Sequence, residues 1–293
     1  MPEKRNYKFG LLGEQVDYSR SPEIFRVIFE LEQIDGDWRT INCSPEKLEG
    51  QVRRLRESAF DAVSVTIPHK EAIIPFLDDI DDVAGALGSA NSMLFRNGRI
   101  SGFNTDAYGF AQPLMSEAPR LKGELALVFG SGGAARSVTY ALALDFELAE
   151  VILIGRSPRR LENTQTRLSS ALPRVRVRTM PWPDGAEIDA SVALAGGNTI
   201  APSLIVNATP LGGPNQPLAQ SHGAFDDLPT STIYYDLNYN DDSSLINSAR
   251  DRGLRALDGL PMLIHQALRS YYLWTGRHVS FEEVWRRMKA HAA

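Results

Sequence analysis

The sequence predicts an α/β protein of two domains, the second of them a doubly wound parallel sheet. Short apolar runs typical of buried strands alternate with helix-like segments along the chain. One run, residues 125–129, leads directly into a glycine-rich loop and then into a helical pattern. A length of 293 residues suits two domains that each bury a sizeable core.

The first part of the chain contains strand-like and helix-like segments in alternation. Helices are expected after Pro22 and after Pro45, and a further helical pattern covers residues 80–87. Asn97-Gly98 predicts the turn of a hairpin between residues 89–95 and 99–103. The remaining strands are expected at residues 7–13, 38–43 and 62–67.

The second part repeats strand and helix more regularly, which predicts the doubly wound sheet. A boundary is expected within residues 117–123, and residues 181–198 are interpreted as a variable connection. Two closing helix patterns, residues 262–274 and 281–289, could cap this domain or return to the first. Strands are expected at residues 125–129, 151–155, 175–180, 204–208 and 232–237.

Composition and charge narrow the class of protein. The formal net charge of −5 and the pI near 5.6 give no general attraction to nucleic acid. No apolar run could span a bilayer, and the charged N-terminus lacks the apolar core of a signal peptide, so a soluble cytoplasmic protein is expected. Cys43 is the single cysteine and the five histidines lack ligand spacing, so neither disulfides nor a metal site are expected.

The glycine-rich loop predicts a dinucleotide site of the Rossmann type. Gly130 suits a sharp turn, Gly132 leaves room for a pyrophosphate, and Ala135 lets the helix approach the strand. The helix N-terminus then offers free N–H groups to the phosphates. The alternative, a structural turn, does not account for the strand before the loop and the helix after it.

The segment after the second strand of this domain favours NADP over NAD. An NAD site usually ends this strand with an acid, whereas residues 155–160 read Gly-Arg-Ser-Pro-Arg-Arg. Guanidinium groups and a hydroxyl suit a 2′-phosphate. The alternative is a solvated basic loop that opens a helix.

Polar side chains follow several strands of the first domain. Ser19 and Ser21 precede a helix, and simple N-capping by Ser21 would also explain them. Lys70 stands in a first helical turn, where a lysine is unfavourable unless it faces solvent. Asp106 could cap a helix beginning at Ala107, yet a Lys–Asp couple over a substrate could also pass a proton to or from a hydroxyl.

Several blocks in the same order resemble the shikimate dehydrogenase family. The resemblance covers nearly the whole chain, and the number of ordered blocks makes it far more specific than any single motif. The matching blocks are Ser-Arg-Ser-Pro at 19–22, Val-Thr-Ile-Pro-His-Lys at 65–70, Gly-Phe-Asn-Thr-Asp-Ala-Tyr-Gly at 102–109, the loop at 130–134, the segment at 156–160, Asn-Ala-Thr at 207–209, residues 259–266 and residues 272–276.

The resemblance implies an NADP-dependent oxidoreductase that reversibly reduces 3-dehydroshikimate to shikimate, in the biosynthesis of chorismate and aromatic amino acids. Lys70 and Asp106 would be the catalytic pair. Substrate would be held by Ser19, Ser21, Thr66, Asn91, Gln266 and Tyr239, and by Asp106 itself. NADP(H) would be held by Gly130, Ser131, Gly132, Gly133, Ala134, Arg156, Ser157, Arg160, Asn207, Thr209, Gly259 and Met262.

The resemblance also implies the domain organisation. Residues 1–117 and 262–293 would form the substrate-binding catalytic domain, and residues 118–261 the NADP-binding domain, with the cleft between them. The closing helices would return to the first domain and bring Gln266 to the substrate; the residues alone favour a surface position for Gln266. A small-molecule substrate and a monomer or homodimer are expected, with no nucleic acid or membrane partner.

Departures from the family pattern leave the substrate open. Tyr18, Ser64, Ser92 and Gly155 stand where the family usually has His, Asn, Thr and Asn, and Gly213 and Asn240 replace a usual Met and Pro. Quinate or another cyclic hydroxy acid is therefore an alternative substrate. A non-catalytic regulator on the same fold is a further alternative, although retention of both Lys70 and Asp106 argues against it.

Overall fold

The computed structural model describes residues 6–182, 201–213, 225, 228–239 and 243–290. The chain forms two compact units, residues 1–109 with 263–293, and residues 110–262. Most of the predicted variable connection, residues 183–198, and Asn240 lie outside the described residues.

The first unit is built on a six-stranded mixed sheet with strand order β2-β1-β3-β5-β6-β4. Strand β1 pairs in parallel with β2 and β3, which places the polar segments after β1 and β3 at the same edge of the sheet. The elements are β1 (Tyr7–Gly13), α1 (Ser21–Glu32), β2 (Gly36–Asn42), α2 (Leu48–Arg56), β3 (Ala62–Val65), α3 (His69–Ala72), β4 (Asp79–Ile80), α4 (Asp82–Leu87), β5 (Ser92–Arg96), β6 (Arg99–Phe103) and α5 (Asp106–Ala111).

The predicted hairpin of β5 and β6 is confirmed. The two strands pair antiparallel from Ser92↔Phe103 to Arg96↔Arg99. Asn97 and Gly98 have φ values of 52° and 75°, as a two-residue turn with both residues in the left-handed region requires. The hairpin therefore brings the residue before β5 and the residues after β6 to one end of the sheet.

The second unit contains the predicted doubly wound sheet. All six strands are parallel, in the order β12-β11-β10-β7-β8-β9, which is the strand order of dinucleotide-binding folds. The elements are α6 (Ala118–Leu121), β7 (Leu125–Phe129), α7 (Gly133–Leu144), β8 (Glu150–Gly155), α8 (Pro158–Ala171), β9 (Arg176–Pro181), β10 (Leu204–Asn207), β11 (Ile233–Asp236), α9 (Ser244–Asp251) and β12 (Arg255–Leu257).

Two strands were not predicted, β4 and β12. They have two and three residues, too few to show an alternating pattern. Each forms because it pairs in parallel with a longer neighbouring strand, β4 with β6 and β12 with β11.

The division between the units falls before Phe110, so the predicted first boundary after Glu117 lies inside the second unit. Phe110 stacks on Tyr235 of β11 with ring centroids 5.1 Å apart. Glu117 forms an ion pair with Arg255 of β12. These tertiary contacts tie residues 110–121 to the second sheet.

The closing helices α10 (Leu260–Thr275) and α11 (Phe281–Ala290) are formed as predicted. From Leu263 onward they belong to the first unit, as the resemblance implied. Trp274 of α10 lies 4.9 Å from Phe9 and 5.5 Å from Phe25, centroid to centroid, and so enters the aromatic core between β1 and α1. This packing holds the sequence-distant α10 against the first sheet.

Candidate active site

The centre of the candidate site is an ion pair between Lys70 and Asp106. Lys70 Nζ donates to Asp106 Oδ2 at 2.6 Å, and the two side chains are only 17% and 5% exposed. Lys70 lies on α3 and follows β3 closely, whereas Asp106 begins α5 just after β6. Such a shielded lysine is not the solvent-facing residue of the alternative interpretation.

Asp106 is free to pair with Lys70 because another residue caps α5. The helix begins at Asp106 itself, and the amide of Ala107 donates to Asn104 Oδ1 at 3.4 Å. The alternative in which Asp106 only caps a helix from Ala107 is therefore wrong. A carboxylate in the first helical turn is also stabilised by the unpaired N–H groups there.

Asn91 joins this pair to helix α10. Its Nδ2 lies 2.9 Å from Asp106 Oδ1 and 3.2 Å from Gln266 Oε1. The backbone N–H of Thr105 donates to Asn91 Oδ1 at 2.7 Å, which fixes the orientation of the amide. Asn91, Asp106 and Gln266 are all buried, so Gln266 is not the surface residue that its sequence context favoured.

The two serines after β1 form a separate small cluster. Ser19 Oγ lies 3.1 Å from Ser21 Oγ and accepts the Ser21 backbone N–H at 3.2 Å. Helix α1 starts at Ser21 and has Arg20 at its N-cap position with no side-chain cap, so the alternative of capping by the Ser21 side chain is wrong. Two adjacent hydroxyls at a helix N-terminus are suited to a carboxylate.

The remaining candidates of the first unit lie near these strands. Thr66 follows β3 and is half-buried, with its backbone N–H bonded to the carbonyl of Leu12 at 2.9 Å. Ser64 and Ser92 are buried partners in register on β3 and β5. The Ser92 hydroxyl accepts Trp274 Nε1–H at 2.8 Å, so it binds helix α10.

The glycine-rich loop has the geometry that a pyrophosphate requires. Gly130 has φ +127°, and a Cβ there would lie 2.9 Å from the carbonyl oxygen of Ala208. At Gly132 a Cβ would meet only Arg160 Nη2, at 3.5 Å, so the backbone is open to a ligand. Gly132 is the N-cap of the twelve-residue α7, whose first-turn N–H groups include those of Gly133 and Ala134.

The basic segment after β8 lies beside this loop. The proximity of Arg160 Nη2 to Gly132 places one guanidinium next to it, and Arg156 is exposed. Ser157 caps α8, because its hydroxyl oxygen accepts the Arg160 backbone N–H at 3.4 Å. The segment therefore also opens a helix, as the alternative interpretation states. Thr164 Oγ1 donates to the Ser131 carbonyl at 2.9 Å and ties the loop to α8.

A polar network at the ends of β10 and β11 joins the predicted residues Asn207 and Thr209 to Tyr234 and Asp236, which sequence reasoning missed. Asn207 Oδ1 accepts the N–H and O–H of Thr209 at 3.1 and 2.7 Å. Its Nδ2 donates to Asp236 Oδ1 at 3.0 Å, and Tyr234 donates its hydroxyl to Asp236 Oδ2 at 3.1 Å. Burial raises the pKa of Asp236 to about 6, although these hydrogen bonds oppose the shift. An acid ending a strand run was the available signal.

The other candidates of the second unit follow β11 and β12. At Gly259 a Cβ would lie 2.1 Å from the Leu237 carbonyl oxygen, so only glycine fits. Met262 is buried in the first turn of α10, and Tyr239 is half-buried just after β11. Within the described residues no group of three or more His, Cys, Asp or Glu could hold a metal, and no helix is long and apolar enough to cross a membrane.

The structure thus gathers the predicted residues into clusters within each unit. In the first unit Lys70, Asp106, Asn91 and Gln266 form one connected group, and Ser19 and Ser21 form another. In the second unit, Arg160 and the loop that starts at Gly130 form a third cluster, and Asn207 and Thr209 form a fourth cluster.

Comparison with known proteins identifies the relatives of this arrangement. Residues 11–93 match the shikimate dehydrogenase substrate binding domain, and residues 259–289 match the shikimate 5′-dehydrogenase C-terminal domain. The shikimate dehydrogenase (NADP(+)) of Symbiobacterium thermophilum is 35% identical over 271 residues, which cover 92% of this chain and 88% of that protein.

Solved structures share the fold over almost the full chain. The shikimate 5-dehydrogenase of Thermus thermophilus, in complex with NADP(H) and shikimate, has a TM-score of 0.76 at 29% identity, and the match covers 95% of this chain and 97% of that one. The quinate dehydrogenase of Corynebacterium glutamicum, in complex with NAD, has a TM-score of 0.81 at 25% identity, and the match covers 98% of this chain and 100% of that one. On the extent and identity of these matches, the chain belongs to the shikimate dehydrogenase family.

Proposed function

We propose that this protein is an NADP-dependent oxidoreductase that reversibly reduces 3-dehydroshikimate to shikimate. The observation that carries the proposal is the shielded Lys70–Asp106 pair, 2.6 Å apart and linked through Asn91 to Gln266. Family membership and the NADP(+) enzyme among its relatives support the same reaction. This reaction belongs to chorismate and aromatic amino acid biosynthesis.

Lys70 acts on the oxygen that changes between ketone and alcohol. Bound NADPH supplies the hydride, and negative charge develops on the ring oxygen as the carbonyl is reduced. The Lys70 ammonium stabilises this charge and donates a proton to the oxygen. Asp106 orients Lys70 through Oδ2 and contacts the substrate hydroxyl on which Lys70 acts. Because the Asp106 side chain is only 5% exposed, water competes little for these contacts.

The other polar side chains of the first unit orient the substrate. Ser19 and Ser21 bind the carboxylate with their paired hydroxyls. Asn91 and Gln266 bind ring hydroxyls, since Asn91 Nδ2 lies 2.9 Å from Asp106 Oδ1 and 3.2 Å from Gln266 Oε1. Thr66 and Tyr239 complete the substrate contacts.

The second unit binds the cofactor. Residues 130–134, at the N-terminus of α7, would hold the pyrophosphate. Arg156, Ser157 and Arg160 bind the 2′-phosphate; the guanidinium beside Gly132 supports this assignment. Asn207, Thr209, Gly259 and Met262 line the rest of the cofactor site.

We further propose that the enzyme works in the cytoplasm, as a monomer or a homodimer, and that its only partners are small molecules. The net charge of −5 supports the absence of a nucleic-acid partner.

Quinate is the second candidate substrate. The similarity to a quinate dehydrogenase and the short side chain of Ser64 favour it. Because the Ser92 hydroxyl binds Trp274, it would not select between the ring hydroxyls of the two acids. The same catalytic pair would act on either ring.

Initial rates of reduced cofactor formation test the proposal. Shikimate and quinate are each oxidised with NADP and with NAD, and kcat/KM is compared across the four combinations. We expect shikimate with NADP to exceed the other three. Quinate with a higher kcat/KM would transfer the assignment to the second candidate, and binding without turnover for either acid would indicate a regulator instead of an enzyme.

A further inference from the structure

Helix α10 presents three polar side chains to the first sheet at intervals of four residues. Gln266 Oε1 lies 3.2 Å from Asn91 Nδ2, Ser270 Oγ lies 3.0 Å from Thr105 Oγ1, and Trp274 Nε1 lies 2.8 Å from Ser92 Oγ. This spacing places all three on one face of the helix. Ser270 and Thr105 are 0% and 1% exposed, so water does not compete for their hydroxyls.

Asn91 has more acceptors around its amide than it has protons. Its Nδ2 lies within 3.2 Å of Thr105 Oγ1, Asp106 Oδ1 and Gln266 Oε1. A side-chain amide carries only two N–H groups. Its Oδ1 accepts the Thr105 backbone N–H at 2.7 Å and lies 3.2 Å from the Thr105 hydroxyl.

The direction of the Thr105 hydroxyl decides how the amide protons are divided. If Thr105 donates to Ser270, its oxygen accepts one Asn91 proton, and a single proton remains for Asp106 and Gln266. If Ser270 donates to Thr105, the Thr105 proton points to Asn91 Oδ1, and both amide protons remain for Asp106 and Gln266. The second arrangement gives every one of these buried acceptors a donor, and an unsatisfied buried acceptor is costly.

We propose that Ser270 is a positioning residue for the catalytic carboxylate. Its hydroxyl donates to Thr105, Thr105 donates to Asn91 Oδ1, and Asn91 directs one amide proton to Asp106 Oδ1 and the other to Gln266 Oε1. Asp106 Oδ2 is then left to Lys70. The inference rests on the proposed function, because it assigns Asp106 and Gln266 to the substrate.

The relay predicts that Ser270 acts only through Thr105. Ser270→Ala removes the donor at the start of the relay, and Thr105→Val removes the hydroxyl that receives it, while the backbone N–H to Asn91 is kept. We expect each variant to lose about five- to tenfold in kcat/KM for shikimate, the size of one buried hydrogen bond. The double variant should lose no more than Thr105→Val alone, because the relay is already interrupted.

A matched control lies on the same helix. Thr275 Oγ1 donates to the Tyr271 carbonyl of its own helix at 2.7 Å, outside the relay. Relative to wild type, Thr275→Val should change kcat/KM by less than about twofold, and Thr105→Ser, which keeps the hydroxyl, should stay within about twofold as well. Ser270→Ala should also shift the midpoint of the pH–rate profile, which Thr275→Val should leave in place.

Multiplicative losses in the double variant would overturn the relay, as would a wild-type pH profile in Ser270→Ala. Denaturant unfolding of wild type, both single variants and the double variant separates this inference from the proposed function. If the wild type turns over no substrate, the function fails, yet the coupling between Ser270 and Thr105 is still measured from the unfolding midpoints. Additive unfolding effects would then refute the relay on its own.

Discussion

The replacement of Lys70 by methionine separates catalysis from stability at this site. Methionine keeps much of the length of the lysine side chain and removes its charge and its protons. We expect turnover to fall by roughly a hundredfold or more, the size associated with a positioned acid–base group. Because Asp106 keeps its hydrogen bond to Asn91 at 2.9 Å, the substrate KM should change much less than kcat.

The same replacement should also destabilise the folded protein. Asp106 is 5% exposed, and without Lys70 its charge is buried with no cation at 2.6 Å. Removing one partner of a buried ion pair costs about 3–5 kcal/mol, and the 17% exposure of Lys70 favours the lower end. The double variant Lys70→Met/Asp106→Asn should recover most of this loss, because no charge is left, while turnover stays low.

Steady-state kinetics in both directions and urea unfolding of wild type, both single variants and the double variant give the required values. A tenfold rise in KM with unchanged kcat in Lys70→Met would show that lysine only binds the anionic substrate, and would refute its role as acid and base. A double variant as unstable as Lys70→Met would refute the explanation by an uncompensated buried charge.

Three further perturbations test the second unit. Arg156→Asp should lower kcat/KM with NADP about a hundredfold and leave kcat/KM with NAD almost unchanged. The control Arg159→Asp changes the charge by the same amount and should alter neither value much. Equal losses with both cofactors in Arg156→Asp would contradict a contact with the 2′-phosphate. The pKa of Asp236 is about 6 in the folded protein against 3.8 for an exposed aspartate, so between these two pH values the folded state binds more protons than the unfolded state. The free energy of unfolding therefore falls by about 3 kcal/mol as the pH rises through this range. Asp236→Asn should lack this loss, and urea unfolding at pH 4 and 7 that changes equally in both proteins would disprove it. Gly130→Ala places a Cβ 2.9 Å from a backbone carbonyl oxygen at φ +127°, and should lower the free energy of unfolding by about 1–3 kcal/mol and weaken NADP binding. Its control, Gly98→Ala, has φ +75° and open space around the Cβ, and should cost about 1–2 kcal/mol with NADP binding unchanged. Calorimetric titration with NADP would show the difference in binding.

The fold class and most of the helices and strands follow from the amino-acid sequence alone. The Gly130 loop, the Asn97-Gly98 hairpin and the strand at residues 125–129 are local features, because backbone conformation and apolar periodicity depend on residues close in the chain. The order of blocks also indicated the family. Most site residues were named from that resemblance and not from any spacing.

Which side chains contact each other, in contrast, depends on the three-dimensional fold. Asn91 and Gln266 are 175 positions apart, and their contact depends on the return of α10 to the first sheet. The hydrogen bond of the Ala107 N–H to Asn104 and not to Asp106, and that of the Ser21 N–H to the Ser19 hydroxyl, depend on side-chain directions that the local sequence leaves open. Hydrogen-bond partners are selected by the three-dimensional path of the chain, because each buried polar group takes the donor or acceptor that the fold brings within about 3 Å of it.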